Sequence, residues 1–257
     1  YRVGALYFDG MGVKRNFEKG RDLMQKSRQG LETLSKKGDP DAQNKLAILL
    51  IRGIGTKQDV VGALEWFRKS AEQGDARGQN NLGACYAQGD GVPKNEQKAV
   101  NWYRKSAEQG YALALNNLGF MYQNGRGTPR DLKKAVKWFR KAAEQGFVEA
   151  QLNLGLMYAK GLDVAQDYKE AVKWYRKAAK QGYADGENAL GRMYADGRGV
   201  LEDFMYAVKW FRKGAEQGFA PAQANLGFMY ASGRGVTKSF QEAVKLYRKS
   251  AEQGGPL

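Results

Sequence analysis

The sequence contains no histidine, one cysteine and five prolines in 257 residues, and its 27 acidic side chains are outnumbered by 42 basic ones. Without histidine there is no Ser-His-Asp triad, no Cys-His pair, no imidazole metal ligand and no pH switch of the usual kind. A lone Cys85 excludes an internal disulfide and any two-cysteine metal or redox motif. The longest unbroken apolar run, Leu46 to Ile51, falls far short of the roughly 20 residues of a membrane-spanning helix. Tyr1 opens the chain with neither Met nor an apolar leader, so the compartment is not read from this end.

Glycine is abundant instead, with 33 residues, nearly twice the average usage of about 7%. The glycines are periodic. Gly38, Gly74, Gly110, Gly146, Gly182, Gly218 and Gly254 recur every 36 residues, and Gly53, Gly89, Gly125, Gly161, Gly197 and Gly233 keep the same interval. A period of this size marks a stacked array of one supersecondary unit.

In the unit GYALALNNLGFMYQNGRGTPRDLKKAVKWFRKAAEQ, Ala114, Leu118, Met121 and Tyr122 form one apolar stripe at helical spacing. Gly119 lies beside that stripe, as do Gly83, Gly155, Gly191 and Gly227 in other units, which fits close approach of a neighbouring helix. Gly125 and Gly127 end the first helix and turn the chain. Asp131 is placed to cap the second helix, with Asp59, Asn95, Asp167, Asp203 and Ser239 at equivalent positions. Beyond it Ala135, Val136, Trp138, Phe139, Ala142 and Ala143 share one side of a helix and Lys137, Arg140, Lys141 and Glu144 the other. Trp66, Trp102, Trp138, Trp174 and Trp210 occupy a single repeat position. They read as inter-repeat core, not as a stacking platform for bases or sugars.

Six complete units fill residues 38–253, with a partial unit over 1–37 and either a truncated unit or a tail at 254–257, so that 1–257 reads as one all-α solenoid of about fourteen helices. VGALYFDGMGV aligns with LGFMYQNGRGT when Gly4 matches Gly119, and Gly4 to Ala47 then spans 43 residues. The seven extra residues, about two helical turns, either lengthen the second helix or break it at Gly30. Solenoid ends usually carry polar caps. Here apolar surface is expected at one end at least, covered in a longer protein or an oligomer.

The pattern AEQG-aromatic-A-x-A-Q-x-N-L-G-x-M-Y-A-x-G-R-G-V, followed by D-x-x-x-A-V-K-W-Y-R-K-A, resembles the Sel-one-like repeat (SLR), a relative of the tetratricopeptide repeat. Asp163 replaces a loop glycine, Ala47 the packing glycine and Cys85 the usual Met. The resemblance implies a right-handed α/α superhelix of antiparallel helix pairs, with first helices lining a concave face and second helices a convex one. It further implies an adaptor without catalytic activity or cofactor. Proteins of this kind are mostly bacterial, often periplasmic or secreted, and serve in signalling, host interaction, envelope-complex assembly or toxin neutralisation.

On the first helices, the side opposite the core stripe carries Ile48, Ala84, Phe120, Leu156, Arg192 and Phe228 at one repeat position. An apolar row that internal packing does not need marks a partner site; the alternative is a superhelix curled tightly enough to bury it. Asn81, Asn117, Asn153 and Asn225 form a second row, with Asn44, Asn80, Asn116 and Asn188 beside it. Such amides either hold the backbone of an extended peptide or bond to their own scaffold. The candidate partner-binding residues are therefore Asn81, Asn117, Phe120, Asn153, Leu156, Arg192, Asn225 and Phe228. Most of the net charge of +15 falls on Arg-Lys pairs of the second helices, such as Arg140-Lys141 and Arg176-Lys177, while the inferred groove reads as near neutral. That placement favours a peptide or protein partner over a nucleic-acid reader, with attachment to nucleic acid or another anionic surface as the alternative and a carboxylate-pair hydrolase behind it.

Overall fold

The computed structural model describes residues 17–54 and 56–254, with side chains from residue 25 onward. The described residues form thirteen α-helices and no strand, arranged as consecutive antiparallel pairs. They fall into two compact units that divide between Arg130 and Asp131. The first unit holds α1 (Phe17–Lys36), α2 (Pro40–Arg52), α3 (Val60–Glu72), α4 (Ala76–Gln88), α5 (Glu96–Glu108) and α6 (Ala112–Asn124). The second holds α7 (Leu132–Glu144), α8 (Val148–Lys160), α9 (Tyr168–Lys180), α10 (Ala184–Ala195), α11 (Phe204–Glu216), α12 (Ala220–Ser232) and α13 (Phe240–Glu252). The alignment through Gly4 lies outside the described residues. Helix α1 runs for 20 residues straight through Gly30, against 13 in the other second helices, so the added length is two turns that keep the helical face in register.

Local chemistry accounts for the helix ends. Asp59, Asn95, Asp131, Asp167, Asp203 and Ser239 are the N-caps of the second helices, and each side chain accepts a backbone N–H from the first turn. First helices divide: Asp39 and Asp75 cap in the same way, whereas Tyr111, Phe147, Tyr183 and Phe219 provide no capping hydrogen bond. Asp163, the one described non-glycine residue at positive φ, holds 51° and so keeps the loop in the left-handed conformation that glycine adopts elsewhere.

Within a pair, the helices meet at the small residue. A Cβ on Gly155 would lie 2.6 Å from the Tyr175 ring, and one on Gly191 2.6 Å from Phe211, with Gly83 facing Tyr103 in the same way at 2.9 Å. Leu46, Leu64, Phe67 and Leu82 fill the core of the first unit, while Val172, Tyr175, Leu190, Met193, Phe211 and Met229 fill that of the second. The tryptophans pack at the margin of this core: Trp174 is buried and the others are half-buried. Each is covered by the lysine three residues on, as in Lys69 over Trp66 at 4.4 Å and Lys213 over Trp210 at 4.8 Å. At the far end of the second unit, α13 leaves Phe240 and Val244 exposed at 64% and 56%.

Successive repeats are also tied by polar side chains. Gln43, Gln79, Gln151 and Gln223 each donate to the carbonyl eight residues earlier, and each accepts from the glutamine thirty residues later. An amide can do both. Glu187 occupies this slot in α10, 3% exposed, and accepts from Gln217 at 2.7 Å. An ionised carboxylate has nothing to donate to the Ala179 carbonyl, and burial raises the Glu187 carboxyl above its ordinary value, an effect opposed by Lys213 and Gln217. A carboxyl raised in the folded state binds more protons folded than unfolded, so its contribution to stability declines as pH climbs from about 4.5 through the folded value. Glu187→Gln is therefore expected to stabilise the protein by about 1 kcal/mol at pH 7, with a smaller gain near pH 4. Urea unfolding at the two pH values checks this, and equal gains would contradict it.

Candidate partner-binding surface

No group of three or more Cys, Asp or Glu side chains among the described residues is arranged to hold a metal ion. Burial pushes the Cys85 thiol up to about 11, which keeps it protonated and unreactive. No helix among the described residues is long and apolar enough to cross a membrane.

The first-helix row is, however, open to solvent. Phe120 in the first unit is 43% exposed, and in the second unit Leu156 and Phe228 are 38% and 50% exposed. Arg192 is exposed as well, while Ile48 and Ala84 are half-buried. Phe120, Leu156 and Phe228 are therefore not buried within their own units, whereas Ile48 is partly covered. Adjacent first helices enclose small pockets along this row. In the first unit Ile48, Ile51, Phe67, Asn81, Ala84 and Cys85, with Arg52 and Asp90, line one of about 210 Å³. In the second unit Leu156, Tyr168, Tyr175, Met193, Lys160 and Arg192 line one of about 150 Å³, and Arg192, Phe204, Phe211, Asn225, Phe228 and Arg234 the next, of about 200 Å³.

These pockets repeat because the sequence does. The Sel1 repeat model matches residues 1–29, 40–75, 76–111, 112–147, 148–183, 184–219 and 220–255. The chain belongs to the Sel1 repeat family. No curated protein matches it. Among solved structures it is similar to a protective antigen of uropathogenic Escherichia coli with an SLR fold, at 35% identity and a TM-score of 0.80, covering 98% of this chain and 53% of that one. The chain thus spans about half the length of that relative. A Sel1 repeat protein from Oxalobacter formigenes is 31% identical with a TM-score of 0.79, and 96% of each chain is covered. An immunity protein from Pseudomonas aeruginosa shares the fold at 23% identity and a TM-score of 0.51, with 83% of this chain and 81% of that one covered.

Across the Sel1 repeats the asparagine rows are engaged with each other. The Asn81 amide donates to Asn44 Oδ1 at 2.8 Å, Asn117 to Asn80 at 3.0 Å and Asn225 to Asn188 at 2.7 Å, each reaching the preceding first helix. Asn153 is half-buried on α8. Of the two roles open from sequence, the scaffold role accounts for these three donor groups. Second-helix charge is likewise partly structural: Arg104, Arg140 and Arg176 donate to Tyr122, Tyr158 and Tyr194 hydroxyls, 18 residues on, at 2.6–3.0 Å.

The groove is not uniformly neutral, which corrects the expectation from sequence. Arg126, Arg198 and Arg234, between the two loop glycines, swing onto the first-helix face. In the first unit Arg126 lies 6.0 Å from the Phe120 ring centre and pairs with Glu96 at 2.7 Å. In the second, Arg198 lies 5.7 Å from the Tyr168 ring centre, and Arg234 lies 5.2 Å from that of Phe204 and 5.9 Å from that of Phe228. The recurrence of Gly-Arg-Gly at 36- and 72-residue intervals was the signal for them.

Proposed function

We propose that this Sel1 repeat protein is a non-enzymatic scaffold whose first-helix face binds a peptide or protein partner. The observation that carries the reading is the exposure of Phe120, Leu156 and Phe228 in a fold whose core residues at neighbouring positions are buried. Large apolar side chains gain from burial, and Leu156 and Phe228 line pockets of the second unit, the feature from which binding hot spots are built. Family membership supports a scaffold over an enzyme, and the Escherichia coli relative described as a protective antigen supports a bacterial setting in host interaction. Envelope-complex assembly, signalling and toxin neutralisation are the other settings that the same surface serves.

A photo-reactive phenylalanine analogue at position 228 is expected to cross-link a discrete protein in extracts of the native source. The same group at Lys137, on the opposite kind of helix, is expected not to. Equal labelling from both positions would contradict the assignment of the surface.

A further inference from the structure

The two pockets of the second unit share Arg192 and Asp196 and run on from Leu156 to Phe228. Each is smaller than the roughly 300 Å³ at which small-molecule sites begin. Each therefore suits one inserted side chain. Their charge is one-sided. Asp196 is engaged by Arg198 at 3.5 Å, whereas Lys160, Arg192 and Arg234 have no carboxylate within ion-pairing distance among the described residues. The equivalent pocket of the first unit carries Asp90 where the second carries Arg198 and Arg234, and Arg52 balances it. An arginine beside apolar walls is a selective carboxylate receptor, because its planar fork matches the two oxygens and water competes less there.

Resting on the reading of this face as a binding surface, we infer that the second unit recognises an extended acidic peptide segment in which a large apolar side chain lies next to Asp or Glu. Leu156 and Phe228 provide the apolar contact for inserted side chains, and Arg192, shared by both pockets, lies between them to receive a carboxylate. Arg234 and Lys160 flank it on either side. The assignment commits to a peptide because the cations are few and interleaved with apolar walls, whereas a nucleic-acid backbone requires a continuous basic track.

The test is binding of the intact chain to an array of 15-residue peptides of randomised composition. Peptides pairing Phe, Leu or Trp with an adjacent Asp or Glu are expected to dominate the bound set. Arg192→Ala and Arg234→Ala are each expected to weaken those peptides about tenfold, as loss of a charge-assisted hydrogen bond does, with the thermal transition unchanged for Arg192→Ala and lowered slightly for Arg234→Ala, which loses its contacts with the Phe204 and Phe228 rings. Arg192→Glu with Arg234→Glu should reverse the preference toward Lys and Arg. A bound set with no acidic enrichment overturns the inference but leaves the apolar groove intact, provided that Phe228→Ala still abolishes binding. Binding that needs acidic residues but no apolar neighbour, and that single-stranded RNA competes away, overturns it in favour of a general polyanion site. Peptide binding untouched by Phe228→Ala overturns both this inference and the groove.

Discussion

Alanine at Gly199 is expected to destabilise the protein by about 3 kcal/mol, the sum of about 1 kcal/mol for a left-handed backbone and about 2 kcal/mol for overpacking. Gly199 has φ of +72°, and a Cβ there would lie 2.3 Å from the backbone carbonyl of Tyr168. Backbone at the start of a capped helix cannot give way as a side-chain tip does. Gly182 is the control: its φ is +77°, but a Cβ on it would meet nothing within 4 Å, so alanine there should cost only the backbone share, about 1 kcal/mol. Urea unfolding separates the two. Equal losses would show that the loop does not press on the preceding second helix, and that the stacking of repeats rests on something else.

Alanine at Phe120, Leu156 and Phe228 together is expected to reduce partner affinity by at least a hundredfold, since even one hot spot contributes about 2 kcal/mol or more. Stability should change far less. Exposed positions away from core and caps usually shift it by under about 0.5 kcal/mol each, and all three side chains are more than a third exposed. Thermal unfolding alongside an affinity measurement checks both halves. A variant that unfolds while its folded fraction binds normally would make these residues structural and remove the groove's anchors.

The period of 36, the Asp/Asn/Ser caps and the packing glycines were legible in the sequence because each depends on one residue type at one recurring place. Gly191 beside Phe211 and Asp203 at the start of α11 are local facts of this kind. The ties between repeats were less legible. Asn81 reaches Asn44 across 37 residues, Gln109 reaches Gln79 across 30 and Arg176 reaches Tyr194 across 18, so each pairing depends on how far neighbouring helices are shifted and rotated. Periodicity gives the repeat but not that offset. The loop arginines were missed for a related reason: Gly-Arg-Gly reads as turn chemistry, and only the turn's direction brings Arg234 against Phe228.

That structure also changes how the surface charge should be probed. Reversing Arg140 or Arg176 would break their bonds to Tyr158 and Tyr194, mixing loss of stability with loss of charge. Lys137 and Lys209 are exposed on second helices and donate no such hydrogen bond among the described residues, Lys209 only lying 5.3 Å from the Tyr206 ring centre, so they can be reversed more cleanly. The most direct measurement is the salt dependence of partner capture by three proteins: the wild type, Lys137→Glu with Lys209→Glu, and the Phe120, Leu156 and Phe228 triple alanine variant. Capture is expected to fall only modestly between low and physiological salt, to survive the lysine reversal and to be lost in the triple variant, because apolar contacts are not screened. Capture that survives the triple variant, falls steeply with salt and disappears on lysine reversal would contradict it and mark the protein as an anion binder working by counterion release.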